Sequence, residues 1–226
     1  MFIVTGVSGG IGHYLAERLL GDGEIVYGNY NTHYQENLLY GNFSQVDITK
    51  PDEIEKWVST FKEKLEKIIV INCVGINYNC FGHKSSLDDW HRVIEVNLKG
   101  TFNIIRAFLP YMRTQKFGRI INLSSVVPQI GVAGTSAYSS SKAGLWGLAK
   151  SLAKENAGMG VTINNLNLGY FDAGMIASVP SSLLEKIKES IPSGRLGDPA
   201  EVYEVIKMLV NVEYINGASI DINGGI

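Results

Sequence analysis

Short apolar runs alternate with longer stretches whose apolar positions recur at helical spacing, from one end of the chain to the other. The runs predict strands over 2–5, 25–29, 43–46, 68–72, 119–123, 162–168 and 219–222. The periodic stretches predict helices over 11–20, 52–65, 87–114, 136–157 and 200–210. Strand–helix alternation of this kind requires right-handed crossovers. It therefore builds a doubly wound parallel α/β sheet of about seven strands with helices on both faces. No Pro/Ser-rich linker and no repeat divides the pattern. The connection from Tyr30 to Gly41 has room only for a loop or one short helix.

Ligands of such sheets sit at the carboxyl ends of the strands, near the point where strand order reverses. The first predicted strand runs straight into Gly6-Val-Ser8-Gly9-Gly10-Ile11-Gly12, and helical spacing begins at Ile11 and continues through Leu15, Leu19 and Leu20. A strand, a glycine turn and a helix start, in that order, point free N–H groups and the helix dipole at one spot, where a pyrophosphate fits. Gly6 permits the turn, Gly10 lets the backbone approach a ligand, and Gly12 allows helix and strand to pack closely. The reading is a dinucleotide site.

A second pattern carries chemistry. Tyr138 and Lys142 stand at i and i+4 on one face of a predicted helix. The same spacing recurs at Tyr203 and Lys207, so spacing alone decides nothing. Context separates the two pairs. Ser125 follows the predicted strand 119–123, thirteen residues before Tyr138, so strand end and helix converge at the ligand edge. Tyr203 has no such polar partner and is placed on a surface amphipathic helix.

Composition narrows the function classes. Lysine and arginine total 20 against 22 acidic residues, a formal net charge of −2 that offers no footprint for nucleic acid or an anionic membrane. Cys73 and Cys80 are too few for a disulfide framework and complete no metal-ligand spacing, so no metal is expected. No leader-like segment precedes the first strand and no apolar run is long enough to cross a membrane. A cytoplasmic protein acting on a small molecule is the expectation.

Together these motifs resemble those of the short-chain dehydrogenase/reductase family, and in particular its 3-oxoacyl-(acyl-carrier-protein) reductase-like branch. The similarity spans Thr5-Gly-x3-Gly-Ile-Gly12, Val46-Asp47-Ile48, Asn72-Cys-Val-Gly75, Val96-Asn97-Leu98, Ile121-Asn-Leu-Ser-Ser125, Tyr138-x3-Lys142, the stretch from Ile191 to Glu201 and the tail at Ile222-Asn-Gly-Gly225. It implies a Rossmann-type, NAD(P)-binding catalytic domain over 1–226 with a substrate lid near 175–195. It implies carbonyl/secondary-alcohol interconversion, with a 3-oxoacyl thioester as the nearest substrate class. Tyr138 would protonate the carbonyl oxygen and Ser125 would donate to the developing oxyanion; Ser124 is the alternative serine. Lys142 would fix the nicotinamide ribose and draw the phenol pKa down from about 10, by roughly two to three units for a cation 4–6 Å away. Asn97 would hold a water connecting Lys142 to solvent. The cofactor set implied is Gly6, Ser8, Gly9, Gly10, Ile11, Gly12, Asn29, Asp47, Ile48, Asn72, Gly75, Tyr138, Lys142, Gly169 and Phe171.

Departures from the family pattern bear on packing and cofactor choice. Cys73 and Val74 replace an Asn and an Ala, of which the asparagine braces the sheet; Leu168 replaces a Pro and Ala173 a Thr. At the end of strand two Asn29 stands where NAD-preferring members carry Asp, so nothing there repels a 2′-phosphate. NADP(H) is therefore favoured over NAD(H), although Gly9 occupies the place of an Arg in many NADP-using relatives and His33 is the only nearby residue able to become cationic. His13, His83 and His91 are read as structural or solvated, and Trp90 as packing. Apolar residues on more than one face of the two longest helices, namely Phe102, Phe108, Leu145, Trp146, Leu148 and Leu152, predict a homo-oligomer, a tetramer or dimer. Two other readings compete. One is a dinucleotide-binding regulator or structural subunit without turnover. The other is a sugar-nucleotide epimerase or dehydratase, for which too little chain follows Gly169.

Overall fold

A computed structural model describes residues 1–32, 41–174, 176 and 179–226, and every statement of structure below concerns these. The Tyr30–Gly41 connection, with His33, and the start of the expected lid at Met175 thus lie largely outside the described residues. Seven parallel strands form one sheet: β1 (Phe2–Thr5), β2 (Val26–Tyr30), β3 (Asn42–Gln45), β4 (Ile69–Asn72), β5 (Gly118–Ser125), β6 (Val161–Leu168) and β7 (Ser219–Ile222). Their spatial order is β3-β2-β1-β4-β5-β6-β7. The order reverses between β1 and β4, which puts the ligand edge beside the glycine turn and the end of β4. The expected doubly wound Rossmann-type architecture is the one observed.

Helices α1 (Gly10–Gly21), α2 (Pro51–Ser59), α3 (Leu87–Ile94), α4 (Thr101–Gln115), α5 (Val127–Ile130), α6 (Ser136–Asn156), α7 (Ser181–Ser190) and α8 (Pro199–Asn211) cover both faces. Side chains alternate across the sheet, so each strand feeds two cores. Ile3, Val70, Ile120 and Ile163 pack with Ile54 and Trp57 of α2, Phe108 and Met112 of α4 and Leu152 of α6. Val4, Ile71 and Ile121 pack instead with Leu15 and Leu19 of α1 and Val202 and Ile206 of α8.

The long helix expected over 87–114 divides into α3 and α4 around a π-helical turn at Glu95–Gly100. Such a turn carries one extra residue and re-aims a side chain, commonly at a functional site. Here it buries Asn97. A row of polar residues also crosses the sheet in register, Asn29–Thr5–Asn72–Asn122–Asn165–Ser219. Along it, Asn72 donates to Asn122 at 2.8 Å, Asn122 to Asn165 at 3.0 Å, and Asn165 to Ser219 at 3.1 Å. Sheet bracing therefore falls to Asn72, and the change at Cys73 does not remove it.

Tyr203 is a correction to the surface placement. It is 4% exposed, and its hydroxyl donates to Asp22 of the α1 C-terminus at 2.6 Å. Arg18 and Lys207 lie 5.6 and 5.5 Å from its ring centre. It ties α8 to α1.

Candidate active site

At the switch point, Gly6 and Gly10 both take left-handed φ, +73° and +56°. A Cβ on Gly12 would lie 2.4 Å from the Gly6 carbonyl oxygen, so only glycine fits there. Gly9 is the N-cap of α1, no side chain caps it, and no acid stands in the first turn. Gly6 and Val7 donate to the Asn29 carbonyl at 2.9 and 3.1 Å, which pins the turn to β2. A tight, side-chain-free cradle at a helix N-terminus fits a pyrophosphate. Ser8 and Ile11 are half-buried on its rim.

Three consecutive residues of β5 grip the α6 pair. Leu123 offers its carbonyl to Lys142 Nζ at 2.7 Å, Ser124 donates from Oγ to the Lys142 carbonyl at 3.1 Å, and the Ser125 side chain stands near enough to the Tyr138 phenol to oppose the rise in its pKa. Ser125 Oγ is itself fixed by the N–H of Val127 at 3.1 Å. The structure thus separates the two candidate serines: Ser125 meets the phenol, while Ser124 serves the helix backbone. Lys142 Nζ lies 5.8 Å from the Tyr138 ring centre.

The electrostatics depart from expectation. Burial pushes the Tyr138 phenol above its ordinary pKa, and the Ser125 side chain opposes this. Burial also lowers Lys142 to about 8, against a small opposing influence from Cys73. Lys142 does not draw the phenol down as expected. Its ammonium donates to the Leu123 carbonyl, and loss of water around the phenol sets the direction of the phenol's shift.

Asn97 clamps the loop after β4 to this pair. Its Oδ1 accepts from the Ile76 N–H at 2.8 Å, and its Nδ2 donates to the Ile76 carbonyl at 2.9 Å and to Ser141 Oγ at 3.0 Å. Both amide protons are committed, so any water it holds takes a remaining acceptor position. Gly75 fills the gap: a Cβ there would lie 3.2 Å from Lys142 Nζ and 3.7 Å from Asn97 Oδ1.

Other expected cofactor residues are placed less directly. Asn29 is 1% exposed; its Nδ2 donates to the Val46 carbonyl at 2.9 Å, and its Oδ1 is buried with no partner. Asp47 caps its own turn, accepting from Thr49 N and Oγ1 at 2.9 and 2.8 Å. Ile48 is in the core against α2, and Asn72 is in the polar row, so neither side chain faces the cradle. Gly169 packs under Asn223, where a Cβ would lie 2.8 Å from the Asn223 Cα. Phe171 bridges to Gly197 with its ring buried.

Residues 1–183 match the family described as short chain dehydrogenase. The chain belongs to that family. As a short-chain dehydrogenase it is an oxidoreductase that interconverts a carbonyl and a secondary alcohol, and the family's cofactor is a nicotinamide dinucleotide. Among its relatives, the acetoacetyl-CoA reductase of Shinella zoogloeoides is 35% identical over 99% of this chain and 96% of that protein. The 3-oxoacyl-[acyl-carrier-protein] reductase of Aquifex aeolicus is 36% identical over 99% of this chain and 95% of its own length. That of Thermotoga maritima is 37% identical over 80% of this chain and 75% of its own.

One feature of this dehydrogenase escaped sequence reasoning. Trp146, half-buried, donates its indole N–H to Asn167 Oδ1 at 2.8 Å and Ser124 Oγ at 3.1 Å. Of the apolar residues on more than one face of the two long helices, Phe108, Leu145 and Leu152 are buried within the chain, Trp146 and Leu148 are half-buried, and Phe102, at 40%, is exposed. No periodicity distinguishes a helix face that covers a sheet from one that meets a partner. Among the described residues no helix is long and apolar enough to cross a membrane.

Proposed function

We propose that this short-chain dehydrogenase reduces a 3-oxoacyl thioester at the expense of NADP(H), acting as one domain over 1–226. One observation carries the proton-donor role: Tyr138 is buried beside Ser125, and loss of water raises its pKa. Near neutrality such a phenol is protonated, which makes it an acid ready for a carbonyl oxygen that gains charge. Ser125 steadies that oxygen by a second hydrogen bond. Lys142, cationic below about 8, holds the ribose hydroxyls of the bound cofactor. Asn97 keeps the Gly75–Ile76 backbone closed over Lys142. The cradle Gly6–Gly12 takes the pyrophosphate, with Asn29, Asp47, Ile48 (through its backbone), Asn72, Gly75, Gly169 and Phe171 around the remainder. Bound there, the reduced nicotinamide supplies the hydride.

The substrate class rests on the relatives, whose names specify acetoacetyl-CoA and 3-oxoacyl-[acyl-carrier-protein]. The preference for NADP(H) over NAD(H) rests on the uncharged Asn29 at the end of β2. Assembly as a homo-oligomer, dimer or tetramer, rests on the apolar surface left on the two long helices, exposed Phe102 and half-buried Trp146 and Leu148. A cytoplasmic location fits this chemistry, and neither nucleic acid nor membrane is a partner. The test is reduction of acetoacetyl-CoA with each cofactor: turnover with NADPH at least about tenfold above NADH in kcat/KM supports the reading. Turnover with neither would remove the substrate class, and a preference for NADH would remove the cofactor reading.

A further inference from the structure

Trp146 lies one turn beyond Lys142 on α6, half-buried, with its indole N–H aimed into the sheet. Its two acceptors, Ser124 Oγ and Asn167 Oδ1, stand in register on β5 and β6, and Asp221 of β7 is next in the same row. Asn167 Nδ2 donates to Asp221 Oδ1 at 2.8 Å, and Gln129 Nε2 donates to the same oxygen at 3.0 Å.

The proton directions in this row follow from the groups themselves. A carboxylate only accepts and an indole N–H only donates. Asp221 therefore fixes the Asn167 amide with its nitrogen outward and its oxygen toward Trp146. Trp146 then donates to Ser124 Oγ, whose own proton is left to the Lys142 carbonyl at 3.1 Å. The chain reads Asp221 ← Asn167 ← Trp146 → Ser124 → Lys142. Its last member is the backbone of the residue whose Nζ the preceding strand residue, Leu123, holds.

We propose that Trp146, oriented by Asn167 and Asp221, is a positioning residue that sets the height of Lys142 on β5 through Ser124. This rests on the reading of Lys142 as a member of the catalytic site. Without the indole N–H, Ser124 Oγ is free to rotate off the Lys142 carbonyl, and the α6 turn loses one of its two fixed points on β5. Misplaced supporting groups of this kind cost turnover without touching the substrate.

Three variants test it by steady-state kinetics across pH. Trp146→Phe keeps an aromatic ring and removes the N–H. Asn167→Asp removes the donor and sets two carboxylates together. The paired swap, Asn167→Asp with Asp221→Asn, again places an amide donor opposite a carboxylate, so that the carboxylate at 167 is held in place to accept from Trp146. The expected result is a kcat about tenfold lower for each of the first two, with both KM values within about twofold. The basic limb of the pH profile moves as well, and the swap returns kcat to within about threefold of wild type. Trp146→Phe and Asn167→Asp with unchanged kcat and pH profile would overturn the proposal. So would a swap no better than Asn167→Asp alone, a comparison that stands even where Trp146→Phe fails to fold. A Lys142→Met enzyme that keeps full turnover would instead remove the underlying reading.

Discussion

Lys142 Nζ donates to the carbonyl of Leu123 at 2.7 Å, from a side chain only 4% exposed. A buried ammonium with a single neutral acceptor gains less than it loses in hydration, and its pKa falls to about 8. The cation is thus present below that pH and lost above it. Tyr138, shifted upward by burial, does not titrate in the same range.

Activity therefore declines on the basic side through loss of the Lys142 charge. The quantity to measure is kcat/KM for the nicotinamide cofactor, which reports ionisations of the free enzyme. It is expected to fall by one proton, with a midpoint near 8. A flat profile to pH 10 would mean that the ammonium is not required.

The cradle predicts a contrast between two glycines. Gly12→Ala drives a methyl group to 2.4 Å from the Gly6 oxygen, whereas Gly9→Ala meets nothing within 4 Å. The first is expected to lose about 1–3 kcal/mol of stability and at least about tenfold in cofactor affinity. The second is expected to keep cofactor affinity within about threefold and to lose only about 0.5–1 kcal/mol of stability, the cost of alanine at the N-cap. Fluorescence titration with NADPH and thermal melts on both variants check this.

Tyr203→Phe separates stability from turnover. The hydroxyl it removes holds Asp22 at 2.6 Å across α1 and α8, far in the chain from the α6 pair. Denaturant unfolding is expected to show a loss of about 0.5–1.5 kcal/mol, with kcat unchanged. A drop in kcat comparable to that of Tyr138→Phe would show that the two tyrosine–lysine pairs had been confused.

What could be read in advance divides along physical lines. The strands, the glycine turn and the Tyr138–Lys142 face follow from local rules of period and backbone freedom, and they are where expected. The π-helical turn at Asn97 is invisible to period, because one extra residue leaves the flanking helices intact. The polar row through Asn72, Asn122 and Asn165 depends on the register of strands far apart in the chain. The indole hydrogen bonds of Trp146 could not be read for the same reason: its partners are Ser124 and Asn167, on two different strands.

The central claim is that the Tyr138 phenol is the proton donor, and turnover of Tyr138→Phe tests it most directly. The variant is expected to bind NADPH as wild type does and to melt within a few degrees of it. Its kcat for acetoacetyl-CoA reduction should fall by at least about a hundredfold. A kcat within about threefold of wild type, with the fold intact, would contradict the assignment.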